Sequence, residues 1–96
     1  MKLFEILVPA NCETDCHWLW DAKVVNIAGG LSILPTIRGR WQTGPSPVIC
    51  EPMIPVRIAA TDEQMYEIAK MTGDHYNQDA VMYYVISNEA FIVSVA

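Results

Sequence analysis

Hydrophobic and polar positions alternate from the start of the chain. Phe4, Ile6 and Val8 interleave with Leu3, Glu5 and Leu7, the period of two that a pleated strand imposes. Both faces of this strand, Lys2 to Val8, are largely apolar, which predicts a central position covered on both sides, or on one side plus a partner. Pro9 to Glu13 reads as a connection. Thr14 or Asp15 can then cap a helix running to about Ala28, where Gly29-Gly30 stops it. Its apolar residues form two stripes, Trp18, Ala22 and Val25 on one face and Trp20, Val24 and Ile27 nearly opposite. One stripe packs on a sheet, and the other needs a second covering surface.

Alternation returns at Leu31 to Trp41, and Pro35, which donates no hydrogen bond, assigns that strand to an edge. Gln42 to Pro47 is a turn by composition. Val48 to Ala60 is the next strand, with Ile54, Val56 and Ile58 on one face and Arg57 on the other. Pro52 and Pro55 within it indicate a bulge or a hairpin arm projecting beyond the sheet. Thr61-Asp62-Glu63-Gln64 is a capping box, and Met65, Ile68, Ala69, Thr72 and Tyr76 follow at helical spacing to about Asn77. Ala80 to Ile86 is a strongly apolar strand, Ser87 to Glu89 a turn, and Ala90 to Val95 a last strand.

The order β-α-β-β-α-β with an additional C-terminal strand predicts one α+β domain over residues 1–96. With right-handed crossovers it is a ferredoxin-like split βαββαβ sandwich, both helices on one face. The other sheet face, near Leu3 or Phe4, Leu34, and Met82 or Tyr83, would be bare in a monomer. An apolar face of that size predicts self-association, as a homodimer or homotrimer.

Composition narrows the classes. Apolar residues make up 52% and charged residues 18% of 96, which excludes disorder. Six Lys and Arg against eleven Asp and Glu, a net charge of −5, argue against nucleic acid as a partner. No apolar run approaches the ~18 residues a membrane span needs. The N-terminal strand lacks the features of a signal peptide, so the expected location is cytoplasmic. Three cysteines, Cys12, Cys16 and Cys50, are odd in number, which predicts reduced thiols rather than a disulfide framework.

Candidate chemistry is sparse. Cys12-x3-Cys16-His17, with His75 from the second helix, has donors that suit zinc or copper, but its spacing is looser than a structural metal site requires, and no metal is assigned. Cys16 lies near a helix N-terminus, yet His17 points about 100° away from it, a poor placement for a base. Asp74-His75-Tyr76 and Asp79 gather at the end of the second helix. There His75 reads either as a general base or as a cation complementing the helix dipole. Arg38-Gly39-Arg40-Trp41 is the most informative group. Two guanidinium groups on one face can hold a carboxylate or phosphate, Gly39 permits close approach, and Trp41 offers a stacking ring. Basic edge residues also serve simply to block aggregation. The expected ligand-binding residues are Arg38, Gly39, Arg40, Trp41, His75 and Tyr76, with no catalytic residue and no cofactor assigned.

Three segments carry a family resemblance. They are Gly29-Gly30-Leu31-Ser32-Ile33, then Gly39-Arg40-Trp41 with Glu51 beyond the loop, and Ile68-Ala69-x6-Tyr76-x2-Asp79-Ala80-Val81-Met82-Tyr83-Tyr84-Val85. Together the pattern resembles small ferredoxin-like signal proteins of the P-II-like and divalent-cation-tolerance type. That resemblance implies homotrimers with ligands in the clefts between subunits. The function it implies is a cytoplasmic, homo-oligomeric binding or regulatory protein holding a small anionic metabolite or nucleotide. Two alternatives share the strand order: a dimeric ferredoxin-like barrel enzyme of monooxygenase or isomerase type, and an assembly protein with no small ligand.

Overall fold

Strand β1, Lys2–Pro9, lies in the middle of a five-stranded antiparallel sheet, hydrogen-bonded to a neighbour on each side. The structure is a computed structural model describing residues 1–42 and 44–95. Its elements run β1, α1 (Thr14–Ala28), β2 (Ser32–Ile33), β3 (Ile37–Trp41), β4 (Ile49–Ala60), α2 (Asp62–Tyr76) and β5 (Tyr83–Ser87). The sheet order is β2-β4-β1-β5, with β3 also on β4. This is the split βαββαβ ferredoxin-like sandwich.

Register explains the core. Phe4, Ile6 and Val8 stand directly opposite Ile58, Val56 and Ile54, so one face of β1 and β4 is continuously apolar. Trp20 and Val24 of α1 and Met65 and Ile68 of α2 close over that face. The stripe that packs is therefore Trp20-Val24-Ile27, while Trp18 stays 66% exposed. A polar tie inside this core is satisfied: the Trp20 indole N–H donates to Thr72 Oγ1 at 2.9 Å, and Thr72 donates to the Ile68 carbonyl at 2.6 Å.

The open face of the sheet meets the expectation of bare hydrophobics in part, since Met82 is 51% exposed beside Leu7 there. Leu3 lies there half-buried, but Phe4 and Tyr83 point to the helix side and meet edge to face at 5.9 Å. Glu5, Arg57 and Tyr84 cross the open face. The Arg57 guanidinium donates to Glu5 at 3.1 Å, and the Tyr84 hydroxyl donates to the other carboxylate oxygen. That bond to Glu5 is the main cause holding the Tyr84 hydroxyl above its ordinary pKa.

Three local expectations need correction. Glu13, not Thr14 or Asp15, is the N-cap of α1, and it makes no side-chain capping bond. The second strand is split at Leu34-Pro35-Thr36, since Pro35 cannot continue the ladder; both halves do lie at the edge. Ala90 to Val95 is not a strand. Ala90 N–H reaches the Met1 carbonyl at 2.9 Å, but Phe91, Ile92, Val93 and Val95 are 72–92% exposed, with no ladder to join among the described residues.

The hairpin arm is present. β1 pairs with Met53 to Ala60 of β4, whereas β3 pairs with Ile49 to Met53, so the β3–β4 hairpin runs on beyond the end of β1. Thr43, one of the residues of the expected turn Gln42 to Pro47, lies outside the described residues. The capping box of α2 forms with both bonds, and Gly73 sits inside the helix, which ends at Asn77 in the left-handed region.

Candidate functional site

The arm, the end of α2 and the start of β5 converge on one cleft of about 820 Å³. Pro9 ends β1 there, Asn77 turns the chain out of α2, and Met82 receives a hydrogen bond from the Leu7 N–H at 3.1 Å. Trp41 and Met53 supply apolar wall, and Gln42, Asn77 and Gln78 supply amides. Glu51 and Asp79 place two carboxylates on the same lining, which carries no basic side chain. Concave, mostly apolar clefts with a few convergent polar groups are where small molecules bind.

Trp41 is seated by Gly39. A Cβ at residue 39 would lie 2.6 Å from the Trp41 indole nitrogen, so only glycine leaves the ring its place. That nitrogen is buried and has no hydrogen-bond partner among the described residues. Arg38 and Arg40 alternate with Gly39 and Trp41, so they emerge on the opposite face of β3, exposed and away from the cleft that Trp41 lines. Within one copy the arginines and the indole therefore do not converge.

His75 and Tyr76 belong to a different group, which joins α2 to α1. The Tyr76 hydroxyl donates to His17 Nδ1 at 2.7 Å, leaving His17 Nε2 to donate to the Ala10 carbonyl at 3.1 Å. Lys23 Nζ donates to His75 Nδ1 at 3.2 Å, and His75 Nε2 donates to the Cys16 carbonyl at 2.8 Å. Each imidazole thus has one nitrogen donating and one accepting, the neutral tautomer with its proton on Nε2. Burial, then the Asp21 carboxylate, pushes the Tyr76 hydroxyl up to about 12. Burial likewise raises Asp21. These bonds make a polar clasp between the helices.

The thiol expectation is overturned at this end of the molecule. Cys12 and Cys16 form a disulfide with Cα atoms 6.0 Å apart, and only Cys50 is free. The odd count concealed it, because a loop residue and a first-turn helical residue four positions on lie within bridging range. Among the described residues no three His, Cys, Asp or Glu side chains stand together as metal ligands.

Glu51, Asp79, Gln42, Asn77 and Gln78 were not singled out as ligand residues from the sequence. Glu51 and Asp79 do lie within the segments that carry the family resemblance, and that was the available signal.

No family model and no curated protein sequence matches this chain. Its backbone matches solved structures along nearly its whole length. The divalent cation tolerance protein CutA1 of Thermus thermophilus superposes with TM-score 0.70 over 94% of this chain and 86% of its own, at 11% identity. The fold is that of the CutA1 proteins. CutA1 of Oryza sativa matches with TM-score 0.70 over 95% of this chain and 82% of its own, at 10% identity. The periplasmic divalent cation tolerance protein CutA of Archaeoglobus fulgidus matches with TM-score 0.69 over 95% and 86%, also at 10%. At such identities the CutA1 likeness is one of fold, and function has to be argued from the site.

Proposed function

We propose that this chain is a self-associating, P-II-like binding or regulatory protein connected with divalent-cation tolerance, acting in the cytoplasm. It holds a small anionic metabolite or nucleotide at the boundary between copies. The observation that carries this is the arm. It projects past the sheet beside the cleft and turns Arg38 and Arg40 outward, where they can meet a neighbouring copy but not their own cleft. The C-terminal segment supports the same reading. Phe91, Ile92, Val93 and Val95 remain in water, each forgoing about 1.5–3 kcal/mol of burial that a second copy can supply. Glu51 and Asp79 repel an anion deep in the cleft, so the ligand sits at the mouth of the cleft, between Trp41 of one copy and the arginines of the next.

The test has two readouts. Sedimentation should give the mass of a dimer or trimer, and a monomer at tens of micromolar would sink the reading. A thermal-shift series with nucleotides, inorganic phosphate and dicarboxylates should raise the melting temperature with one class, since a ligand specific to the folded state stabilises it by mass action. Arg40→Ala should abolish that shift and leave the ligand-free melting temperature nearly unchanged. An oligomer that responds to no anion would instead favour an assembly protein without a small ligand. A fluorescent fusion found outside the cytoplasm would correct the location.

A further inference from the structure

We propose that Cys12 and Cys16 form a thiol–disulfide exchange site that takes electrons from small thiols. The pair joins residues only four positions apart, so it closes a short loop and constrains the unfolded chain far less than a bridge between distant segments. The fold does not depend on it: α1 is held to the body by Trp20 and Val24 in the core and by the histidine clasp. Both cysteines are half-buried rather than sealed in the core.

The surroundings distinguish the two sulfurs. Cys16 sits in the first turn of α1, where backbone N–H groups are unpartnered and the helix dipole favours negative charge. His75 Nε2, which donates its proton to the Cys16 carbonyl at 2.8 Å, also lies 3.6 Å from Cys16 Sγ, and the Lys23 ammonium on the far nitrogen polarises that imidazole. Among the described residues, Cys12, on the loop, has no such neighbour. Glu13 and Asp15 flank the pair but are exposed, where solvent and salt screen them. Cys16 is therefore the better leaving thiolate and Cys12 the sulfur attacked.

The exchange balances with two external thiols. The first thiolate bonds to Cys12 Sγ as the Cys12–Cys16 bond breaks, and Cys16 leaves as a thiolate. The second thiolate bonds to the first external sulfur as that sulfur's bond to Cys12 breaks, and Cys12 leaves. The products are one external disulfide and two cysteine thiols, each having taken up a proton that an external thiol released.

The experiment equilibrates the native chain in glutathione buffers of graded reduced-to-oxidised ratio, quenches in acid, alkylates and weighs the peptides. Cys12 and Cys16 should switch together between bonded and doubly alkylated, with Cys50 alkylated or carrying glutathione but never joined to either of them. A pair that stays bonded in native protein under excess dithiothreitol is a structural staple and overturns the proposal. So does a pair that stays doubly alkylated in oxidised glutathione, or one that stops at a glutathione adduct. In the reduced protein, His75→Gln should retain the fast alkylation of Cys16 and His75→Leu should slow it about tenfold relative to Cys50. Equal rates in both variants would remove His75 from the site. Melting temperatures of both variants separate a lost fold from a lost neighbour.

Discussion

The body of the molecule and its projections treat similar side chains in opposite ways. In β1, Phe4, Ile6 and Val8 are at most 2% exposed, and the buried Trp20 and Thr72 satisfy each other. In the arm and the C-terminal segment, Arg38 and Arg40 stand in solvent, Trp41 keeps a buried N–H without a partner among the described residues, and Phe91 is 81% exposed. Both regions are rich in β-branched and aromatic residues. What separates them is the supply of partners: β1 has a strand on each side and helices above, whereas the projections run past the end of every element that could cover them. Stability resides in the first region, and the capacity to bind another copy or a ligand in the second.

Three measurements would break or sharpen this contrast. Ile6→Ala removes a side chain that is 0% exposed at the centre of the sheet. It should cost about 2–5 kcal/mol, read from urea unfolding, a large part of the roughly 5–15 kcal/mol such domains have. A loss near zero would mean that the core does not carry the fold.

The helix clasp gives a smaller effect that depends on pH. The folded Tyr76 hydroxyl titrates at about 12, above its ordinary 10.0. A raised folded value means that stability is fully present below pH ~10 and is lost as pH rises through ~12. Absorbance titration at tyrosine wavelengths should show one late-titrating hydroxyl that Tyr76→Phe removes. Tyr76 is half-buried and solvent screens part of its interactions, so the associated change in melting temperature is small.

The smallest effect on the single copy belongs to the C-terminal segment. Phe91→Ser with Val93→Ser should change unfolding of the monomer at high dilution by no more than about 0.5 kcal/mol, as for other exposed positions. At working concentration the same variant should sediment as a smaller species. If instead the dilute monomer is strongly destabilised, the segment packs on its own body and the contrast fails.

Much of this architecture is legible in the residues. Period-two and helical spacing, the capping box at Thr61 and Gln64, Gly29 at a helix end and Pro35 at an edge are local signals, and each acts through backbone geometry within a few residues. They suffice for the element order, and right-handed crossovers then leave the ferredoxin-like sandwich as the simple solution. The candidate site was only partly legible. Arg38, Trp41, His75 and Tyr76 form chemically plausible groups along the chain, but strand alternation turns the arginines away from the indole, and the helix face directs the histidine and tyrosine to His17 and Cys16. The cleft that Trp41 does line draws Glu51, Asn77 and Asp79 from segments far apart in sequence, which no local pattern connects. The Cys12–Cys16 bond and the unpaired C-terminal segment have the same origin. A bridge depends on how a loop enters a helix, and a strand exists only where another backbone offers its hydrogen bonds. Local propensity and spacing therefore settled the helices and the paired strands, while the docking of those elements, through partners brought from a distance, settled which candidate strands form, which side chains meet and which are left for another molecule.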